Sequence, residues 1–139
     1  RVVDLLIQRG AEINKQSSEG PTALMLAAQE GHERVVELLL QRGAEINKQN
    51  SDGGTALMHA AAEGHERVVD VLLQRGAEVN LQKSTGFTAL MGAAHYGHLR
   101  VVELLLQRGA EVNLQKSTGG NALMCAAIQG HHATVRLLL

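Results

Sequence analysis

The sequence predicts an all-α solenoid of stacked helix-turn-helix units with hairpin-like loops between them. Three observations predict it. Identical residues return every 33 positions: Gly10, Gly43, Gly76 and Gly109; Asn14, Asn47, Asn80 and Asn113; Gly31, Gly64, Gly97 and Gly130. Each period holds two short apolar runs, and each run ends at a glycine. The apolar residues are almost all Leu, Val, Ala and Met, with Phe87 and Tyr96 the only aromatics. One pair of short helices cannot bury its own apolar faces, but stacked copies bury a continuous core.

The elements follow in order. Residues 1–16 read as the second half of an earlier unit, with RVVDLLIQRG as its second helix. Complete units span 17–49, 50–82 and 83–115, and a truncated unit spans 116–139, all within one domain covering 1–139. Each first helix opens at a good N-cap, Thr22, Thr55, Thr88 or Asn121. Its Leu, Met and Ala residues are small enough for close helix packing, and Gly31 or its equivalent stops it. The second helix carries R-V-V-x-L-L-L-Q-R, with apolar residues at helical spacing. Gly43 and its equivalents stop that one. The A-E-[IV]-N-x-Q-x-S-x-G segment between units is rich in turn formers and predicts a long hairpin-like loop.

The T-A-L-M-x-A-A-x-x-G-H and L-L-x-x-G-A-E-[IV]-N runs, in a 33-residue unit, resemble the ankyrin repeat over the whole chain. The family motif is T-P-L-H. Here Ala23, Ala56, Ala89 and Ala122 stand for its proline. Met25, Met58, Met91 and Met124 stand for its histidine. The resemblance therefore implies an apolar, polarizable methionine stack where the family has a polar network.

Most repeat positions are nearly constant within the chain, and four are not. The fifth holds Pro21, Gly54, Phe87 and Gly120; the tenth holds Leu26, His59, Gly92 and Cys125. The thirteenth holds Gln29, Ala62, His95 and Ile128; the fourteenth holds Glu30, Glu63, Tyr96 and Gln129. Positions ten, thirteen and fourteen share one face of the first helix, and position five precedes it. Together they form a stripe along the stack, which the resemblance places on the concave face that grips partner proteins. Expected partner-binding residues are Phe87, Tyr96, His95, His59, Gly92, Leu26, Glu30, Glu63, Cys125, Ile128 and Gln129. Phe87 and Tyr96 are expected outside the core, and Ile128 partly covered by the end of the stack. Gly92 is expected to leave a dent between His59 and Cys125. Neutral drift on a solvated surface is the competing reading, but other outward positions, such as Gln41, Gln74 and Gln107, do not vary.

Other chemistry has little support. His32, His65, His98 and His131 recur a full repeat apart, too far to share a metal, and read as turn or cap residues. His59, His95 and Cys125 also come from separate repeats, so no metal, cofactor or catalytic residue is assigned. The glycines stop helices and form no phosphate loop. A net charge of -1 gives no reason to expect nucleic acid, and no apolar run reaches membrane-spanning length. A single cysteine points to a reducing, intracellular and cytoplasmic setting. Asn14, Asn47, Asn80 and Asn113 match the loop asparagine that an asparaginyl hydroxylase modifies in the family. Glu replaces the adjoining Asp at Glu12, Glu45, Glu78 and Glu111, and each asparagine is expected to bond its own turn.

The segment AEVNLQKSTG occurs identically at 77–86 and 110–119. Recent tandem duplication or an engineered array would each give such identity. The alternative to a binding module is a structural segment of a longer scaffold. Apolar ends without polar caps carry the expectation of self-association.

Overall fold

The computed structural model describes residues 2–17 and 20–139. Arg1, Ser18 and Glu19, assigned above to the first helix and the first loop, lie outside the described residues. The described residues form α1 (Val2–Gln8), α2 (Ala23–Gln29), α3 (Glu33–Gln41), α4 (Ala56–Glu63), α5 (Glu66–Gln74), α6 (Ala89–His95), α7 (Leu99–Gln107), α8 (Ala122–Ile128) and α9 (His132–Leu138). Helices α2, α4, α6 and α8 form an inner row, and α1, α3, α5, α7 and α9 an outer row.

Every inner helix starts as its sequence dictates. The side-chain oxygens of Thr22, Thr55, Thr88 and Asn121 accept from the backbone N–H groups of Met25, Met58, Met91 and Met124 at 3.0–3.3 Å. Each cap satisfies one of the donors that a helix N-terminus leaves free.

The C-terminus of α4 shows how the inner helices stop. The N–H of His65 bonds the Ala60 carbonyl at 3.0 Å, and that of Gly64 bonds the Ala61 carbonyl at 3.2 Å. This paired closure needs a left-handed residue, and Gly64 supplies it at φ 77°. The next carbonyl, on Ala62, accepts from His98 Nε2 of the following unit at 2.9 Å. The same bond joins His65 to the Gln29 carbonyl at 2.8 Å and His131 to the His95 carbonyl at 2.8 Å. A Cβ on Gly64 would stand 2.5 Å from His98 Nδ1, so the glycine also makes room for the ring. The recurring histidines occupy the N-cap positions of the outer helices but make no side-chain cap bond. Three of them, His65, His98 and His131, also clasp neighbouring units, a role beyond the expected turn or cap one.

The loops carry a second set of clasps. The loops after α3, α5 and α7 close as hairpin-like turns: in the second of them, Lys83 N–H bonds the Phe87 carbonyl and Gly86 N–H bonds the Lys83 carbonyl, both at 2.8 Å. Asn14, Asn47 and Asn80 accept from the N–H of Glu45, Glu78 and Glu111 in the next unit at 2.8–2.9 Å. Gln16, Gln49 and Gln82 donate to the carbonyls of Gln49, Gln82 and Gln115 at 3.0–3.5 Å. Asn14, Asn47 and Asn80 therefore bond the neighbouring loop, not their own turn.

Alanines do most to set the shape. Ala28, Ala60, Ala61, Ala93, Ala94 and Ala126 are fully buried where the inner helices meet. The inner helices touch one another more extensively than the outer helices do. The inner helices and the hairpin-like loops form the more closely packed side of the stack. Met25, Met58 and Met91 are buried in the core as expected, whereas Met124 is 56% exposed because no described helix covers that side of α8.

Candidate functional site

The varied positions do lie together along the inner row, but they differ in what they expose. Position fourteen stands outermost, exposed in every unit. Tyr96 is 60% exposed and Ile128 78%, and Leu26, Glu30, Glu63 and Gln129 are exposed as well. Ile128 is thus not covered by the end of the stack.

Two expected site residues are corrected. Cys125 is 4% exposed and belongs to the core. Burial pushes its thiol pKa up, and nearby Lys116 only partly opposes this. Phe87 is half-buried and packs against the core, so it is not a free surface residue. Its ring also meets the Lys116 ammonium, 5.1 Å from the ring centroid.

The dent at Gly92 exists, but between other residues than expected. It is a groove of about 290 Å³ between α4 and α6. Met58 and Ala62 form one wall; Phe87, His95 and Tyr96 form the other, with Gly92 in the floor. Lys83 and Thr85 of the hairpin loop close its rim. Neither His59 nor Cys125 lines it. A Cβ at Gly92 would meet the Ala62 Cβ at 3.5 Å, an ordinary contact, so the fold itself tolerates a side chain here. The groove owes its depth to a missing side chain.

Tyr96 is held in place. His95 meets it edge-on, with ring centroids 4.7 Å apart and planes at 84°. The ring of His98, already fixed on the Ala62 carbonyl, has its centroid 6.3 Å from that of Tyr96. A rigid aromatic with a polar tip is the residue type that anchors interfaces at low entropic cost. His59 sits half-buried on α4, with Nδ1 3.1 Å from the Thr55 carbonyl. Burial lowers its pKa, the Lys83 charge lowers it further, and Glu63 partly offsets both.

Among the described residues, no group of three or more His, Cys, Asp or Glu is placed to hold a metal ion. No described helix is long and apolar enough to cross a membrane.

A family model described as "Ankyrin repeats (3 copies)" matches residues 1–83 and 76–139, and the chain belongs to the ankyrin-repeat family. Members of this family are generally protein–protein interaction modules and typically not enzymes. No curated protein matches the chain.

Sequence reasoning missed the lysines. Lys83 and Lys116 fall outside the four varied positions, yet both reach the stripe from the loops. A signal was present: the preceding units hold Ser17 and Asn50 at the same place, so positive charge enters only in the last two.

Proposed function

We propose that the chain is a binding module that grips a partner protein along its concave stripe and performs no chemistry itself. The groove at Gly92 carries this reading. It joins half-buried Phe87, exposed Tyr96 and a helix-interior glycine, and such a glycine costs a helix about 1 kcal/mol relative to alanine. At about 290 Å³, the groove lies at the lower edge of the roughly 300–1,000 Å³ typical of small-molecule sites. That size suits one or two side chains of a protein partner. The binding set is Tyr96, Phe87, His95 and Gly92 at its centre, with Leu26, His59, Glu30, Glu63, Ile128 and Gln129 along the stripe. Residues 1–139 act as one domain, and the single cysteine suits a reducing compartment.

The test is affinity capture on the immobilised chain, with Tyr96→Ala as the control. A protein retained by the wild type and lost by the variant supports the reading. A protein held equally by both does not use the stripe.

A further inference from the structure

Four lysines occur in the chain. Lys15 and Lys48 face Glu12 and Glu45 at 4.0 and 3.6 Å. Lys83 and Lys116 make no ion pair among the described residues. Both are half-buried. Both sit in hairpin loops with a fixed backbone: Lys83 N–H bonds the Phe87 carbonyl and Lys116 N–H bonds the Gly120 carbonyl, each at 2.8 Å. Lys83 stands at the rim of the groove, and Lys116 lies over the ring of Phe87. Two half-buried lysines without an ion-pair partner among the described residues thus flank one slot. A half-buried charge gains most from an opposite charge delivered by a partner.

Spacing sharpens the match. The lysines are one repeat apart, which is roughly 10 Å for stacked helices. An extended peptide in the polyproline-II conformation has three residues per turn and rises about 3.1 Å per residue, so carboxylates three positions apart share one face and span about the same distance. A side chain between them is turned away from that face and can enter the Phe87–Tyr96 slot. Glu63 is exposed on the end of α4, next to the groove residue Ala62, and Glu30 is exposed one unit farther along, at the end of α2. They repel an acidic segment from that half of the stripe and so fix its position.

Accepting the concave binding reading, we infer that the partner segment is an extended acidic peptide. It carries two carboxylates three residues apart, held by Lys83 and Lys116, and an apolar side chain between them seated over Gly92.

The experiment is a fluorescence anisotropy titration of the intact chain with three dye-labelled nonapeptides. One carries two glutamates three positions apart with leucine between them. The second replaces both glutamates with lysine, and the third replaces the leucine with glycine. A labelled single-stranded oligothymidylate is the fourth probe. The glutamate peptide should bind, with affinity falling as salt rises. Lys83→Glu with Lys116→Glu should weaken it by about tenfold or more and favour the lysine peptide. The glycine peptide should bind more weakly than its leucine parent, and Tyr96→Ala should weaken the parent peptide. Helical signal and thermal midpoint check that each variant folds. If the double variant fails to fold, Lys83→Gln alone must still weaken the glutamate peptide.

No binding of the glutamate peptide overturns the inference. So does equal binding of the lysine peptide, or tighter binding of the oligonucleotide at the same site. If the lysine peptide binds and Tyr96→Ala removes it, the acidic partner is wrong but the concave site stands. If Tyr96→Ala changes no peptide's binding, the concave reading itself fails.

Discussion

The Lys116 ammonium lies 5.1 Å from the centroid of the Phe87 ring, over an aromatic that also packs on the core. Phe87 therefore has both a structural and a binding role, and Tyr96 is the cleaner probe of binding. Phe87→Ala should destabilise the fold by about 2 kcal/mol, roughly half the cost of a fully buried Phe→Ala change. Tyr96→Ala should stay within about 0.5 kcal/mol of wild type. Urea denaturation of both variants checks this, and equal effects would contradict the assignment of burial.

The histidine clasps make a graded prediction. His98→Ala leaves the Ala62 carbonyl without its partner and should cost about 1–3 kcal/mol. His32 is exposed and has no such bond among the described residues, so His32→Ala should be nearly neutral. Gly64→Ala should cost more than Gly76→Ala. Both glycines have positive φ, but only the Gly64 Cβ would strike a histidine ring. Thermal or urea unfolding ranks the four variants.

The periodicity, the helix caps, the glycine stops and the loops were all legible in the sequence. Each depends on residues close in the chain, such as Thr55 and Met58, whose spacing is enough to fix the geometry. The inter-unit clasps were not legible, because His98 and Ala62 or Asn47 and Glu78 meet only after stacking. Recurrence of His98 and Asn47 in every unit marked them as necessary without saying what they touch. Phe87 and Cys125 were misplaced for a related reason. Variation at a repeat position suggested exposure, but the depth at that position also depends on the loop folded over it. Lys116 and the loop around it add cover at that end of the stripe.

His59 predicts a pH dependence. Burial, reinforced by Lys83, holds its folded-state pKa below the ordinary value near 6.5. The unfolded chain therefore binds more protons in this range, and stability rises with pH. This share of stability is complete above about 6.5 and is lost as pH falls toward the folded pKa. Its slope cannot exceed about 1.4 kcal/mol per pH unit for one proton. Urea denaturation of wild type and His59→Gln across pH 5–8 isolates the share, since the other histidines remain in both proteins. An unchanged profile in the variant would contradict it.

Cys125 should be slow to react. Burial removes access and raises its pKa, so little thiolate forms at neutral pH. Alkylation by iodoacetamide should be much slower in the folded chain than in urea. Equal rates would show that the thiol faces the stripe after all.

The most direct test of the concave site is the affinity of Gly92→His for the partner that the wild-type chain captures. His59 already occupies the same repeat position on α4, and the contact at Gly92 leaves room for a Cβ. The variant should therefore keep its helical signal and a thermal midpoint at or above that of wild type. With the groove filled, binding should weaken by about 2 kcal/mol or more, the magnitude of an interface hot spot. A well-folded Gly92→His protein that binds as tightly as wild type would contradict the account.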